Sequence, residues 1–313
     1  MSVKIGYLLP TRERIMDDEP STARLIELAE KAETLGYDSL WVGDSLFARP
    51  RHEPMTLLAG VATRTQRVEL GTAVLLPALR NPVLLAHQAA TLDQLCEGRL
   101  ILGLGIAGDV PNIRAEFEAA GVPFEKRVGR LLEGVKLCRA LWSGEEVNWD
   151  GLWSVKGATL GPTPARPGGP LLWSGGHVPG AIKRAGRYFD GWFPTGPDDA
   201  SEWGSLFREI QSVAKDSGRD PAAVTGAVYL TVALDDNAEA ANSRIDSYLE
   251  GYYSAPAAVI RKRQACYGGT AEGLAEWLQS FIDAGAQHLI LRFAGDHDHQ
   301  LEAVSKLRAQ QPW

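Results

Sequence analysis

The chain has 313 residues, of which 45% are apolar and 23% are charged, and its formal net charge at pH 7 is −7. This composition is typical of a globular protein with a large apolar core, and the negative charge argues against nucleic acid or an anionic membrane as a partner. No apolar run reaches the roughly 18–20 residues of a membrane-spanning helix, so no membrane partner is expected.

Two features indicate the compartment. Cys96, Cys138 and Cys266 are odd in number, widely spaced and set in apolar contexts, which predicts buried free thiols in a reducing compartment. The first apolar run begins at Val3, so the sequence predicts no signal peptide. We therefore expect a cytoplasmic protein.

Apolar runs bounded by turn residues alternate with helical patterns along the whole chain. They predict eight strands, at Val3–Leu9, Ser39–Val42, Val68–Leu76, Leu100–Ile106, Pro170–Ser174, Gly191–Pro194, Thr225–Leu234 and His288–Phe293. Helices are predicted from the N-cap Ser21 to Gly36, and over Pro54–Arg64, Phe124–Trp142 and Pro179–Tyr188. This alternation predicts an α/β fold of the (β/α)8 TIM-barrel class.

The segment between the fourth and fifth strands, roughly 107–169, is too long for a simple crossover. It contains Asp150-Gly151 between apolar and aromatic residues, which indicates a hairpin turn, and then a loop rich in proline and glycine. We interpret it as an insertion at the C-terminal face of a single domain that spans residues 1–313. An open doubly wound sheet is the competing fold, but no GxGxxG turn follows the first strand, which favours the barrel.

Active sites of (β/α)8 enzymes lie at the carboxyl ends of the strands, and this rule selects candidate residues. The strand ends carry Asp44, Ser45, Ala107, the turn Gly175-Gly176-His177, and Thr195. Three arginines, Arg12, Arg80 and Arg292, also lie at or near strand ends. They are candidates for anion or substrate contacts, but a role in solvent is favoured for each. A core position is favoured over a pocket for the aromatic residues Trp41, Phe47, Trp173, Trp192 and Phe193.

The turn Gly175-Gly176-His177 leads directly into the predicted helix Pro179–Tyr188. Glycines before a helix allow backbone N–H groups to face an anion, and the helix dipole favours negative charge there. A tight turn that needs a positive φ explains the same glycines equally well. The residues alone leave both interpretations open.

Four segments together resemble the luciferase-like monooxygenase superfamily, whose members use a reduced flavin or the deazaflavin F420. They are GYDSLWVGDS (36–45), LGTAVLLPALRNPVLLAHQAATLDQLCEGRLILGLGIA (70–107), FEKRVGRLLEGVKLCRALWSGEEVNWDG (124–151) and LLWSGGHVPGAIKRAGRYFDGWFP (171–194). Their order and spacing match the family over roughly nine-tenths of the chain.

The resemblance implies a cofactor site of reduced FMN or F420. It implies that Gly175, Gly176 and His177 hold the cofactor phosphate. It also implies a non-prolyl cis peptide at Ala73-Val74 that supports the isoalloxazine ring. Three further residues, Gly105, Ala107 and Thr195, are assigned to the cofactor on the same basis.

Asp44 and Ser45 are the predicted catalytic residues, and Ser45 departs from the family. Several subgroups have a histidine at this position as an acid or base, whereas a serine hydroxyl stays neutral near pH 7 and only hydrogen-bonds. Either another residue handles the proton or the reaction needs no such group. Asp44 holds the ring edge or a water, or it caps a turn.

Charge in two loops bears on substrate and metal. The resemblance places basic residues for a sugar phosphate near the loop after the sixth strand, but this chain has Asp198 and Asp199 there, which argues against a phosphorylated substrate. The run GDHDHQ (295–300) is interpreted as a solvated loop that caps the last helix, and no metal site is predicted.

The favoured function is a monooxygenase that uses reduced FMN and O2 on a small organic substrate, because the acid or base histidine is absent. The first alternative is an F420-dependent oxidoreductase that transfers a hydride, and the second is a flavin-binding protein without turnover. An aldolase or isomerase is disfavoured because no Schiff-base lysine lies at a strand end. Expected partners are the substrate, a separate flavin or F420 reductase, and a second copy of the chain in a homodimer.

Overall fold

Short buried runs form the strands of the computed structural model, which describes residues 2–311 and 313. The strands are β1 (Lys4–Leu8), β2 (Ser39–Val42), β3 (Glu69–Thr72), β4 (Leu100–Leu104), β5 (Val147–Asp150), β6 (Ser154–Ala158), β7 (Leu171–Ser174), β8 (Gly191–Trp192), β9 (Thr225–Leu234), β10 (Ala265–Gly269) and β11 (His288–Phe293). Most are buried on both faces, as expected of strands that pair in parallel beneath helices.

Helices follow the strands along the chain. They are α1 (Glu13–Met16), α2 (Ala23–Thr34), α3 (Pro54–Ala62), α4 (Pro82–Leu95), α5 (Pro111–Ala119), α6 (Arg127–Trp142), α7 (Pro179–Tyr188), α8 (Ala200–Asp216), α9 (Ala238–Tyr253), α10 (Ala257–Arg261), α11 (Ala271–Asp283) and α12 (His297–Arg308). Within the described residues, none is both long and apolar enough to cross a membrane.

The chain forms two compact units. Unit 1 comprises the residues up to Trp41 and those from Leu172 onward, and unit 2 comprises Val42–Leu171. In unit 1, β11 pairs with β1 and β9, β1 pairs with β2, and β8 pairs with β7 and β9, all in parallel. In unit 2, β3 pairs in parallel with β4, whereas β5 and β6 form an antiparallel hairpin.

All eight predicted strands form, and each is followed by at least one helix, which is the organisation of a (β/α)8 barrel. The insertion contains α5, α6 and the predicted hairpin, whereas the expectation of a single domain stays a prediction. The helix predicted over Pro179–Tyr188 has those bounds, and the helix predicted after Ser21 has Thr22 as its N-cap instead. Regular pairing in the third strand ends at Thr72, before the predicted end at Leu76.

One strand escaped the sequence analysis. β10 has the sequence ACYGG, whose two glycines give little intrinsic tendency to form a strand. It forms because it pairs with the second half of the ten-residue strand β9. Pairing between distant segments therefore overrides local propensity here.

Candidate active site

Asp44 lies directly after β2, and its buried carboxylate is saturated with donors. One oxygen accepts hydrogen bonds from the Leu76 N–H at 2.9 Å and from Arg80 Nη1 at 2.5 Å, and the other accepts from Arg80 Nη2 at 3.2 Å. Burial lowers the pKa of the Arg80 guanidinium, but Asp44 and Glu53 raise it more strongly, so its net pKa lies above the usual value. Asp44 thus ties the loop after β2 to the segment after β3, and its contact with a cofactor stays a prediction.

Ser45 is bonded to a residue that the sequence analysis missed. Its hydroxyl lies 2.6 Å from Oε1 of Glu116 on α5 and accepts the N–H of Arg49 at 2.9 Å. The same Glu116 oxygen accepts the N–H groups of Phe47 at 2.7 Å and Ala48 at 2.8 Å. Glu116 therefore holds the loop that carries Ser45.

Glu116 left a detectable signal in the sequence. In α5 the buried residues are Ile113, Glu116 and Phe117, so a carboxylate occupies the apolar face of an amphipathic helix. Its second oxygen, Oε2, is buried and has no hydrogen-bond partner among the described residues. An acidic residue at such a position is rarely fully buried without a reason.

The predicted bulge after β3 is present. The peptide bond Ala73-Val74 is cis, as the family resemblance implies. The Ala73 N–H donates to the carbonyl of Val42 at 2.7 Å. Beyond the bulge, Leu75 pairs with Leu104 at the end of β4 in an isolated parallel β-bridge. The bulge is thus held from both sides within unit 2.

Gly105 and Ala107 follow β4 and are the remaining predicted site residues of unit 2. A Cβ at Gly105 would overlap Cγ2 of Val74 and lie 3.2 Å from its Cβ, so Gly105 allows Val74 to pack against the end of β4. Ala107 has a φ of 62° and packs against the apolar cluster that contains Phe117. The structure therefore brings Val74 together with Gly105, and places Ala107 beside the helix that carries Glu116.

In unit 1 the predicted residues lie at the ends of the neighbouring strands β7 and β8. Gly176 has a φ of 87°, and its carbonyl accepts the indole N–H of Trp192 at 2.8 Å, so the tight-turn interpretation is confirmed. The helix α7 that follows begins without a side-chain cap and has no acidic residue in its first turn. Half-buried His177 precedes that helix, and its contact with a phosphate stays a prediction.

Thr195 follows β8 and is tied to the start of β10. Its hydroxyl donates to the carbonyl of Arg263 at 3.3 Å, and its own carbonyl accepts the N–H of Ala265 at 2.7 Å. Asp199, in the same loop, caps α8 by accepting the N–H of Glu202 at 2.8 Å, whereas Asp198 is exposed. The loop therefore carries two negative charges, and its Thr195 is bonded to the backbone at Arg263 and Ala265.

These features agree with the comparison to known proteins. Residues 3–304 match a family model described as luciferase-like monooxygenase. The chain belongs to this family. A relative named phthiodiolone/phenolphthiodiolone dimycocerosates ketoreductase, from Mycobacterium sp. (strain JLS), is 34% identical over 76% of this chain and 70% of its own length. An F420-dependent glucose-6-phosphate dehydrogenase from Mycolicibacterium gilvum is 30% identical over 95% of this chain and 94% of its own length.

Two solved structures show the same fold. Monooxygenase RslO1 from Streptomyces bottropensis superposes with a TM-score of 0.82 at 21% identity, over 99% of this chain and 98% of its own. An F420-dependent secondary alcohol dehydrogenase, solved with an F420-acetone adduct, also gives 0.82, at 22% identity and with 98% of each chain covered. The predicted (β/α)8 class is confirmed, and the chain is a luciferase-like oxidoreductase.

In this luciferase-like oxidoreductase a role in solvent is wrong for Arg12 and Arg292, which are buried, whereas Arg80 is half-buried and paired with Asp44. Arg292 is only 1% exposed and donates to the hydroxyls of Thr231 at 2.6 Å and Tyr253 at 2.8 Å. Arg12 is 8% exposed and donates to the carbonyl of Tyr252. Guanidinium groups are enclosed here because tyrosine rings and hydroxyls replace the water they would otherwise bind.

The five aromatic residues predicted to lie in the core do so, with one exception. Trp41, Trp173, Trp192 and Phe193 are core residues, but Phe47 is 63% exposed because it lies in the loop next to Ser45. In the GDHDHQ run, Asp296 caps α12 by accepting the His299 N–H at 3.1 Å, which confirms the cap. The rest of the prediction is wrong, because residues 297–300 form the first turn of α12 rather than a solvated loop and Gln300 is buried. The described residues contain no cluster of three or more histidine, cysteine or acidic side chains suited to a metal.

Proposed function

We propose that the protein is an F420-dependent oxidoreductase that exchanges a hydride with a small, unphosphorylated alcohol or carbonyl compound. The observation that carries this proposal is the set of relatives. Four of them, named F420-dependent glucose-6-phosphate dehydrogenase, align with 94–95% of this chain at 29–31% identity. This support outweighs the sequence-based preference for a monooxygenase, which depended on the absent histidine.

The residues present fit such a cofactor. The uncapped start of α7, preceded by Gly175 and Gly176, leaves backbone N–H groups and a helix dipole for a phosphate. In unit 2, Gly105 keeps the bulge at Ala73-Val74 free of a crowding side chain. When bound, F420 supplies the hydride acceptor or donor, and the protein orients the substrate and holds the proton.

The substrate class follows from charge and apolar surface. Two aspartates, Asp198 and Asp199, oppose a phosphate monoester in the loop after β8. Leu46 and Phe47, beside Ser45, are 44% and 63% exposed, so the loop next to the predicted catalytic serine offers apolar contact. An apolar alcohol or ketone matches both observations.

Cofactor titration tests the proposal, with the nine tryptophans as the fluorescent reporter. Oxidised F420 should quench the tryptophan fluorescence along a saturable binding curve, whereas FMN should leave the fluorescence unchanged. The protein should then bleach the visible absorbance of F420 with 2-propanol and not with glucose 6-phosphate. Selective binding of reduced FMN would establish the monooxygenase alternative instead, and turnover of glucose 6-phosphate would overturn the substrate class.

A homodimer and a separate F420 reductase remain part of this proposal. Light scattering during size-exclusion chromatography measures the first, and a mass near 34 kDa rather than twice the 33.9 kDa chain would contradict it. The reductase is tested by its ability to regenerate the reduced cofactor for ketone reduction.

A further inference from the structure

We infer that Ser45 and Glu116 form a proton relay, in which the serine hydroxyl contacts the substrate oxygen and the buried carboxylate holds the proton. This inference rests on the proposed function. It assigns a role to a buried carboxylate that touches the predicted catalytic serine.

The direction of the hydrogen bonds orients the serine. A hydroxyl has one hydrogen and two acceptor positions. The Arg49 N–H, at 2.9 Å, takes one acceptor position of Ser45, and the hydrogen points to Oε1 of Glu116 at 2.6 Å because Glu116 is the acceptor there. One acceptor position of the half-buried serine is left to receive the hydroxyl hydrogen of an alcohol.

Glu116 is more than a support for the loop. Its Oε1 accepts three donors from residues 45–48, and the amide oxygen of a glutamine could accept the same three. The second oxygen, Oε2, is buried without a hydrogen-bond partner among the described residues, which costs stability. Only the carboxylate can take up a proton, and this ability explains why an acid occupies a site where an amide would suffice as a scaffold.

The relay balances the oxidation of an alcohol. The carbinol C–H bond breaks, and the hydrogen leaves with both electrons as hydride to oxidised F420. The alcohol O–H bond breaks as its proton moves to Ser45 Oγ, while the serine proton moves to Oε1 of Glu116. A carbonyl double bond forms, and reduction of a ketone follows the same path in reverse.

Substitution of the two residues tests the relay with F420 and 2-propanol. Glu116→Gln keeps the acceptor for the loop but cannot hold the proton, so kcat should fall about 100-fold, in the range typical of general acid–base groups, with KM nearly unchanged. Ser45→Ala should cause a similar loss, and the double variant should be no worse than either single one, because the two residues act as a unit. Ser45→Thr retains the hydroxyl and should recover most of the rate.

Two measurements separate this role from a structural one. The F420 dissociation constant and the thermal midpoint of Glu116→Gln should stay near those of the parent. On mixing F420-loaded parent protein with 2-propanol, the infrared difference spectrum should gain a carboxylic-acid C=O band that Glu116→Gln lacks. Glu118→Gln, an exposed position on the same helix, is the matched control and should change neither rate nor spectrum.

The outcomes are distinguishable. If the parent reduces F420 and Glu116→Gln retains its rate within about threefold, the relay is wrong while the proposed function stands. The relay is equally wrong if the carboxylic-acid band persists in Glu116→Gln. If the parent does not bind or reduce F420, the proposed function fails and the relay with it.

Discussion

At the scale of single residues, burial separates ion pairs that have nearly the same geometry. Asp44 and Arg80 approach to 2.5 Å with side chains 3% and 18% exposed, whereas Asp109 and Arg114 approach to 2.6 Å with side chains 57% and 46% exposed. Water screens the second pair, but it cannot resolvate Asp44 if the arginine is lost. The two pairs should therefore differ greatly in their effect on stability.

Arg80→Met leaves the Asp44 carboxylate buried without its cation, and we expect a loss of about 3 kcal/mol in the free energy of unfolding. Urea denaturation followed by circular dichroism measures this loss. The control, Arg114→Met, removes the exposed pairs with Asp109 and Glu125 and should lower the urea midpoint much less. Equal losses in the two variants would show that burial does not govern the Asp44–Arg80 pair.

At the scale of elements, the end of β4 and the bulge after β3 pack and pair against each other. Val74 fits against β4 because position 105 has no side chain, and backbone hydrogen bonds from Leu75 and Gly105 hold the two segments in register. Gly108, three residues further along, has no neighbouring atom of the described residues within 4 Å of the position a Cβ would take. These two glycines therefore give a contrast between a packed and an open position in the same loop.

Gly105→Ala should destabilise the protein by about 1–3 kcal/mol, since the new methyl group forces Val74 to move within a packed region. Gly108→Ala should have little effect. Denaturant unfolding measures both, and F420 affinity should fall only for Gly105→Ala if the bulge supports the cofactor. A neutral Gly105→Ala would show that Val74 can repack freely.

At the scale of the whole molecule, acid stability depends on a histidine far from solvent. His288 on β11 is buried, lies 2.6 Å from the Ser39 hydroxyl and meets the Trp173 ring edge-on. Burial lowers its pKa to about 3, with smaller contributions from Lys4 and Arg308. A histidine in the unfolded chain has a pKa near 6.5. Below that pH the unfolded chain binds a proton at His288, whereas the folded protein keeps this side chain neutral. The contribution of His288 to the free energy of unfolding is therefore fully present above about pH 6.5 and is lost as the pH falls toward 3.

Replacing the histidine should remove this dependence. Between pH 7 and pH 5, His288 should cost the parent about 2 kcal/mol of unfolding free energy, and His288→Gln should not show that part of the loss. Urea unfolding at the two pH values measures it, and the comparison cancels His297, whose pKa burial also lowers and which both proteins retain. Identical pH dependence in the two proteins would exclude His288 as the source.

Local patterns in the sequence were sufficient for the framework. Eight strands, the helix Pro179–Tyr188 and the hairpin around Asp150-Gly151 are all encoded by short runs, because apolar periodicity and turn residues act within a few positions. The bulge at Ala73-Val74 was expected from the family resemblance alone. The rule that sites lie at strand ends then selected Asp44, Ser45 and the Gly175-Gly176-His177 turn. Family and fold class therefore followed from the sequence by itself.

Contacts between distant segments were decided only by the tertiary structure. Glu116 meets Ser45 across 71 positions, Arg80 meets Asp44 across 36, and β10 becomes a strand because β9 offers it a partner. No local pattern encodes these pairings, since each depends on where two remote backbones are placed and on how much water their packing removes. The sequence by itself therefore determined which elements form and which strand ends to examine, and the tertiary structure decided which side chains meet there.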